Sequence, residues 1–144
     1  MADAPAATAA ATAILIVEAH HAVRAALCDW MRTLFPEYQV LEARSGEEAV
    51  SITAVRQPAV VVMGISQPGI SGIEATRVIK RVLPLVQVII LTSHDEALYQ
   101  AEARSAGANA YVLKREAFTE LVPALQRLLP RAKPEAAGAA GSSR

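Results

Sequence analysis

The sequence predicts a single α/β domain built on a parallel sheet with helices on both faces, and three observations carry that prediction. Short apolar runs alternate with longer helical patterns five times along the chain. Most of those runs are β-branched and apolar on successive residues, the pattern of strands covered on both sides. The length, 144 residues, suits one domain around one core.

Taken in order, the first strand is AILIV at residues 13–17. It is followed by AVRAALCDWMRTLF, whose Val23, Leu27, Trp30, Met31 and Leu34 fall on one helical stripe. YQVLEA at 38–43 alternates more than the other runs and suits a sheet edge. The remaining strands are AVVVM at 59–63, VQVIILT at 86–92 and AYVLK at 110–114. Three helices are expected to open with serine followed three residues on by glutamate, at Ser45/Glu48, Ser71/Glu74 and Ser93/Glu96. In such a box the serine oxygen accepts from an orphan helix amide while the glutamate reaches back to the cap amide. The last helix, about 116–129, carries Leu121, Val122, Leu125, Leu128 and Leu129 on its inner side. Pro123 lies within it, and the missing donor predicts a bent or delayed helix start.

The two ends differ from the middle. Residues 1–12 and the tail 130–144 are small, aperiodic and rich in Pro, Gly, Ala and Ser. Such segments bury too little to offset roughly 1–2 kcal/mol per residue of backbone entropy, so both are expected to be flexible around a compact domain of 13–129. Lysine plus arginine equal aspartate plus glutamate at 14 each, which leaves no global field drawing the chain to nucleic acid or anionic membrane. The single cysteine, Cys28, excludes an internal disulfide framework and is expected to be a buried small hydrophobe. No run approaches the roughly 18–20 apolar residues of a membrane span. The N-terminal stretch lacks a basic region and carries Asp3, unlike a signal peptide, so a cytoplasmic location is expected.

In open parallel sheets, sites form beyond the carboxyl ends of the strands. Those positions hold Glu18–Ala19, Ala43–Arg44, Gly64, Thr92–Ser93 and Lys114. No GxGxxG or Walker-type loop follows any strand, so no nucleotide site is read there. Neither is a nucleophile–base pair legible. Ser66 reads as a small loop residue and His21 as a solvated helix-start residue. His20 and His21 make no metal site, because adjacent side chains diverge and no third ligand is evident.

Several of these stretches resemble a known family. ILIVEAHHAVRAAL, VVVMGISQPGISGIEATRVIK, VIILTSHDE and GANAYVLK occur in the order and separations of a response-regulator receiver domain, closest to the NarL/FixJ type. The resemblance implies a flavodoxin-like, CheY-like sheet of five parallel strands in the order 2-1-3-4-5. In that family, two acids after the first strand and an aspartate after the third bind Mg²⁺, and that aspartate accepts a phosphoryl group from a histidine kinase. A hydroxyl after the fourth strand and a lysine after the fifth contact the phosphoryl oxygens, and the hydroxyl moves with an aromatic residue of the fifth strand. Carried over, Glu18 matches the first acid, Thr92 the hydroxyl, Lys114 the lysine, Tyr111 the aromatic, and Pro68 and Gly72 the loop. The second acidic position is Ala19, the phosphoacceptor position is Gly64, and His20 occupies a position often histidine in the family.

The chemistry gives those two departures their weight. Phosphoryl transfer needs an in-line nucleophile and a cation to neutralise developing charge. Glycine offers no side chain, and Mg²⁺ seeks oxygen ligands at about 2.0–2.1 Å, commonly carboxylates. The resemblance therefore implies a degenerate receiver, not an enzyme, with weak or absent Mg²⁺ binding and no cofactor. Lys114 is then expected to pair with Glu18. The expected activity is phosphorylation-independent protein–protein interaction through the face of the fourth helix, fifth strand and fifth helix. The partner would be a histidine kinase, another response regulator or a second copy in a homodimer, with no membrane and no direct nucleic-acid binding by this chain. Two alternatives stand beside it: the receiver part of a DNA-binding NarL/FixJ-type regulator, and a small-molecule or anion-binding module at the strand ends.

Overall fold

The structure, a computed structural model, describes residues 13–130. The expected flexible segments lie outside the described residues, Pro130 excepted. Five strands run β1 Ala13–Val17, β2 Gln39–Ala43, β3 Val60–Met63, β4 Gln87–Thr92 and β5 Ala110–Leu113. All neighbours are parallel and the order is β2-β1-β3-β4-β5, the order the resemblance implied. The helices are α1 His21–Leu34, α2 Gly46–Arg56, α3 Gly72–Val82, α4 Ala97–Ala106 and α5 Val122–Leu128.

The alternation of strand side chains divides the core in two. On one face Leu15, Val17, Val61, Met63, Val88 and Ile90 pack beneath α2, α3 and α4 through Ala49, Ile73, Ala75, Ile79 and Ala103. On the other, Ile14, Ile16, Val60, Val62, Ile89 and Leu91 pack beneath α1 and α5 through Cys28, Met31, Ala124 and Leu125. Every residue of β1 and β3 is buried, whereas β2 at the edge is half open. Burial on both faces explains why these runs lack alternation. Among the described residues no helix is long and apolar enough to cross a membrane.

Four expectations are corrected, wholly or in part. The Ser93/Glu96 box does not form: α4 starts at Ala97 behind Glu96, whose side chain makes no cap bond. The His94 amide instead donates to Thr92 Oγ1 at 3.2 Å, turning the chain before any helix can start. The other two boxes are half made. Ser45 and Ser71 accept from Glu48 N and Glu74 N, while Glu48 turns to the Arg44 amide and Glu74 to Arg77. The expected α1 stripe holds in part: Met31 is buried and Leu27 and Trp30 pack partly buried against the same core, but the other buried residues are Arg24 and Cys28, and Leu34 is 41% exposed. The last helical segment is not one helix. A 3₁₀ turn at Lys114–Glu116 and a π turn at Ala117–Leu121 precede α5, with Pro123 in its first turn, where a missing N–H costs little. The π turn leaves Phe118 82% exposed and edge-on to Trp30.

A close backbone approach fixes the turn from β3 into α3. The Gly72 amide donates to the Ile65 carbonyl at 2.8 Å, and a Cβ on residue 72 would stand 1.7 Å from the Gly64 carbonyl oxygen. Backbone cannot yield there as a side chain would. Gly72→Ala is therefore expected to lower stability by at least ~3 kcal/mol in urea unfolding, at the upper end for a single substitution. Cys28 is 1% exposed, and burial, followed by the nearby Glu42 charge, pushes its thiol up to about 11. Alkylation at about pH 8 is therefore expected to leave the native thiol unmodified and to label it once the chain is unfolded, as read by intact mass.

Candidate functional site

Parallel strands deliver their following residues to one end of the sheet, so β1, β3, β4 and β5 bring Glu18, Gly64, Thr92 and Lys114 to a common rim. Glu18 is nearly buried, its side chain 10% exposed. Lys114 Nζ donates to its Oε1 at 3.0 Å, and the His20 amide donates to its Oε2 at 3.0 Å. Both carboxylate oxygens thus already accept a hydrogen. The ion pair joins the residues that follow β1 and β5 across the sheet.

Arg24, which the sequence reading left in the first helix without a role, is 6% exposed and organises the outer side of the same rim. It donates to the Glu18 carbonyl at 2.9 Å and to Glu42 Oε1 at 3.0 Å, and lies 3.1 Å from His21 Nδ1. Because guanidinium only donates, His21 Nδ1 accepts. His20 caps α1, its Nδ1 accepting from the Val23 amide. A periodic arginine on an apolar stripe was the signal for Arg24, since a charge there must find buried partners.

At Gly64 the space beyond Cα is filled. Gln67 turns back from the following loop and its Nε2 donates to the Gly64 carbonyl at 2.8 Å. A Cβ built on residue 64 would meet that nitrogen at 2.9 Å, the Val17 carbonyl at 3.4 Å and Glu18 Oε1 at 3.5 Å. The other amide atom, Gln67 Oε1, is buried without a partner. Pro68 lies exposed in the loop, which is tied to α2 where the Ile70 amide donates to Glu47 Oε2 at 3.0 Å. Sequence carried no sign of Gln67, because a loop glutamine reads as solvated until the chain folds back on itself.

Thr92 is 3% exposed and accepts from the His94 amide. Tyr111, half-buried on β5, donates its hydroxyl to the His94 carbonyl at 2.7 Å. Burial pushes that phenol above its ordinary range, and the charges of Glu96 and Asp95 push it further. The His94 ring meets Ser66 Oγ at 3.1 Å through Nε2. The structure therefore brings together a serine and an imidazole that sequence spacing, 28 residues apart, did not pair.

The donor set does not suit Mg²⁺. One carboxylate faces the rim with both oxygens engaged, and among the described residues no group of three or more His, Cys, Asp or Glu side chains is placed to hold a metal ion. Removing one partner of the ion pair has a measurable consequence. Lys114→Met is expected to cost about 1–2 kcal/mol, moderated because Lys114 is 37% exposed. With Glu18→Gln also present the loss should be less than additive by at least ~0.5 kcal/mol in a double-mutant cycle.

Comparison with known proteins places the fold. A family model of the response regulator receiver domain matches residues 14–126. The chain is 34% identical over 116 residues to the transcriptional activator protein ExaE of Pseudomonas putida, covering 81% of this chain and 54% of that protein. To the response regulator UvrY of Escherichia coli it is 38% identical over 113 residues, covering 78% and 52%. The chain thus spans about half the length of the curated relatives it matches. Among solved structures, a two-component response regulator of the LuxR family from an Aurantimonas species superposes with a TM-score of 0.75 at 33% identity, covering 81% of this chain and 84% of that one. The response regulator TrrA of Thermotoga maritima, solved in complex with Mg(2+)-BeF, gives 0.74 at 29% identity over 82% of this chain and 99% of that one.

Proposed function

The chain belongs to the response regulator receiver family, and on that premise we propose that it is an atypical receiver whose state is not set by phosphorylation of an aspartate. One observation carries the reading. The residue that ends β3 is Gly64, and the space its side chain would enter is taken by the Gln67 amide. The neighbouring Ala19 removes a second acid, and Glu18, the carboxylate that is present, is neutralised by Lys114. The rim is complete in itself: its charges are paired and its central position is filled. A receiver of this kind acts as a protein-binding module in two-component-type signalling, in the cytoplasm and without a cofactor. The proposed contact face is α4, β5 and α5, which carries Leu98, 66% exposed, and the half-buried Tyr99 and Tyr111. It suits a histidine kinase, another response regulator or a second copy.

A second reading is favoured by the share of each relative that is matched. Because ExaE and UvrY are about twice as long as the matched region, this chain also suits the receiver part of a DNA-binding NarL/FixJ-type regulator. The genomic reading frame decides between them, a DNA-binding domain in frame favouring this second reading.

Exposure to an acyl phosphate with Mg²⁺ is expected to leave the intact mass unchanged, and stoichiometric phosphoryl addition would overturn the proposal. Gly64→Asp alone is expected to stay unlabelled, since the new carboxylate must displace Gln67 and still lacks a second acid for the cation. Adding Ala19→Asp is expected to restore labelling. Efficient labelling of the single variant would show that the missing acid is dispensable.

A further inference from the structure

We propose that protonation of His94 sets the position of the loop between β4 and α4 and, through it, of Tyr111. This relay rests on the reading above, in which aspartyl phosphorylation is absent, and names the signal that acts on the same strand ends.

The geometry converges on one residue. Through its ring, His94 contacts Ser66 Oγ on the β3–α3 loop at 3.1 Å and lies against Tyr99 in the first turn of α4, ring centroids 4.6 Å apart. Through its backbone, it donates to Thr92 Oγ1 at the end of β4 and accepts from the Tyr111 hydroxyl of β5. Four segments of the rim therefore meet at one residue, two through its backbone and two through a titratable ring that is 32% exposed and open to solvent protons.

The charged and titratable groups facing it come from three elements. Glu96, just before α4, has Oε1 at 3.8 Å from His94 Nδ1. Asp95 is engaged by Arg115, beyond β5, at 3.4 Å. Tyr99 faces it from α4 and Tyr111 from β5, while the β3–α3 loop offers only the uncharged Ser66. At 3.8 Å the neutral ring and Glu96 are too far apart for a hydrogen bond. Protonation makes both ring nitrogens donors and adds a charge that Glu96 attracts. The Glu96 side chain makes no helix-cap bond and so is not held back. The same charge is attracted to the Tyr99 ring, and Ser66 must then accept. The attractions to Glu96 and Tyr99 draw the ring toward α4 while its bond to Ser66 strengthens, and the carbonyl that holds Tyr111 belongs to that same residue. His20 and His21 do not share this connection: their ring contacts are with Val23 and Arg24 on α1.

The test is nuclear magnetic resonance on protein with labelled histidine and tyrosine rings, followed from about pH 8 to pH 5, the span in which imidazoles titrate. The Tyr111 ring and the Ala97–Tyr99 amides are expected to shift with the midpoint of the His94 ring. His94→Asn, folded by circular dichroism, is expected to flatten both. Ser66→Ala is expected to abolish the response of the β3–α3 loop alone. A His94 ring that titrates while Tyr111 stays still overturns the relay, as does a Tyr111 response that survives His94→Asn. Phosphoryl uptake with the Tyr111 titration intact would strike the preceding reading and leave the relay standing.

Discussion

The carbonyl oxygen of Gly64 lies where a side chain on residue 72 would begin. That contact lets the chain leave β3, run outward through Pro68 and return to start α3 directly against the strand it has just left. Without it α3 could not lie so close to the sheet, and Ile73, Ala75 and Ile79 would not fill the face beneath Val61 and Met63. The same return folds Gln67 back onto Gly64 and holds Ser66 beside His94. The core and the rim thus share one constraint, which is why a backbone contact at the end of β3 bears on both.

Around that turn, electrostatics is resolved locally. Glu18 is almost buried, and a bare carboxylate there would be costly. Lys114 and the His20 amide engage its two oxygens, and Arg24 binds the carbonyl of the same residue. Lys80 does comparable work at the opposite end of the sheet, donating to the Pro84 and Val86 carbonyls and to Asn109 Oδ1. Burial lowers its pKa, the mark of an ammonium exchanging water for carbonyl partners. The Lys114–Glu18 bond at the rim is what supports the proposed phosphorylation-independent reading.

Much of this was legible beforehand, for identifiable reasons. The strands could be read because β1, β3 and β4 are buried on both faces and must be apolar throughout. Helix starts were legible at Ser45 and Ser71, where the cap bond is local in sequence, and illegible at Ser93, where Thr92 and Tyr111 claim the turn. The irregular entry to α5 was foreshadowed by Pro123, but not the π turn that exposes Phe118. At the rim, strand ends predicted which residues assemble, since parallel topology leaves them no other place. The Gln67 and Ser66–His94 contacts were not legible: Ser66 and His94 stand 28 residues apart, and although Gln67 bonds Gly64 only three residues back, nothing in local pattern selects one loop conformation.

By itself, then, the sequence determined a two-faced parallel sheet, the identities at its strand ends, and the absence of a carboxylate at Gly64 and Ala19. Those follow from periodicity and side-chain chemistry, which are properties of the chain at each position. Only the tertiary structure decided that the space at Gly64 is filled by Gln67, that Lys114 spends its charge on Glu18, and that His94 joins four segments. The Lys114 and His94 contacts depend on distances between segments far apart in the chain, and the Gln67 contact on one loop conformation, all of which exist only once the sheet, the helices and the return loop are packed together.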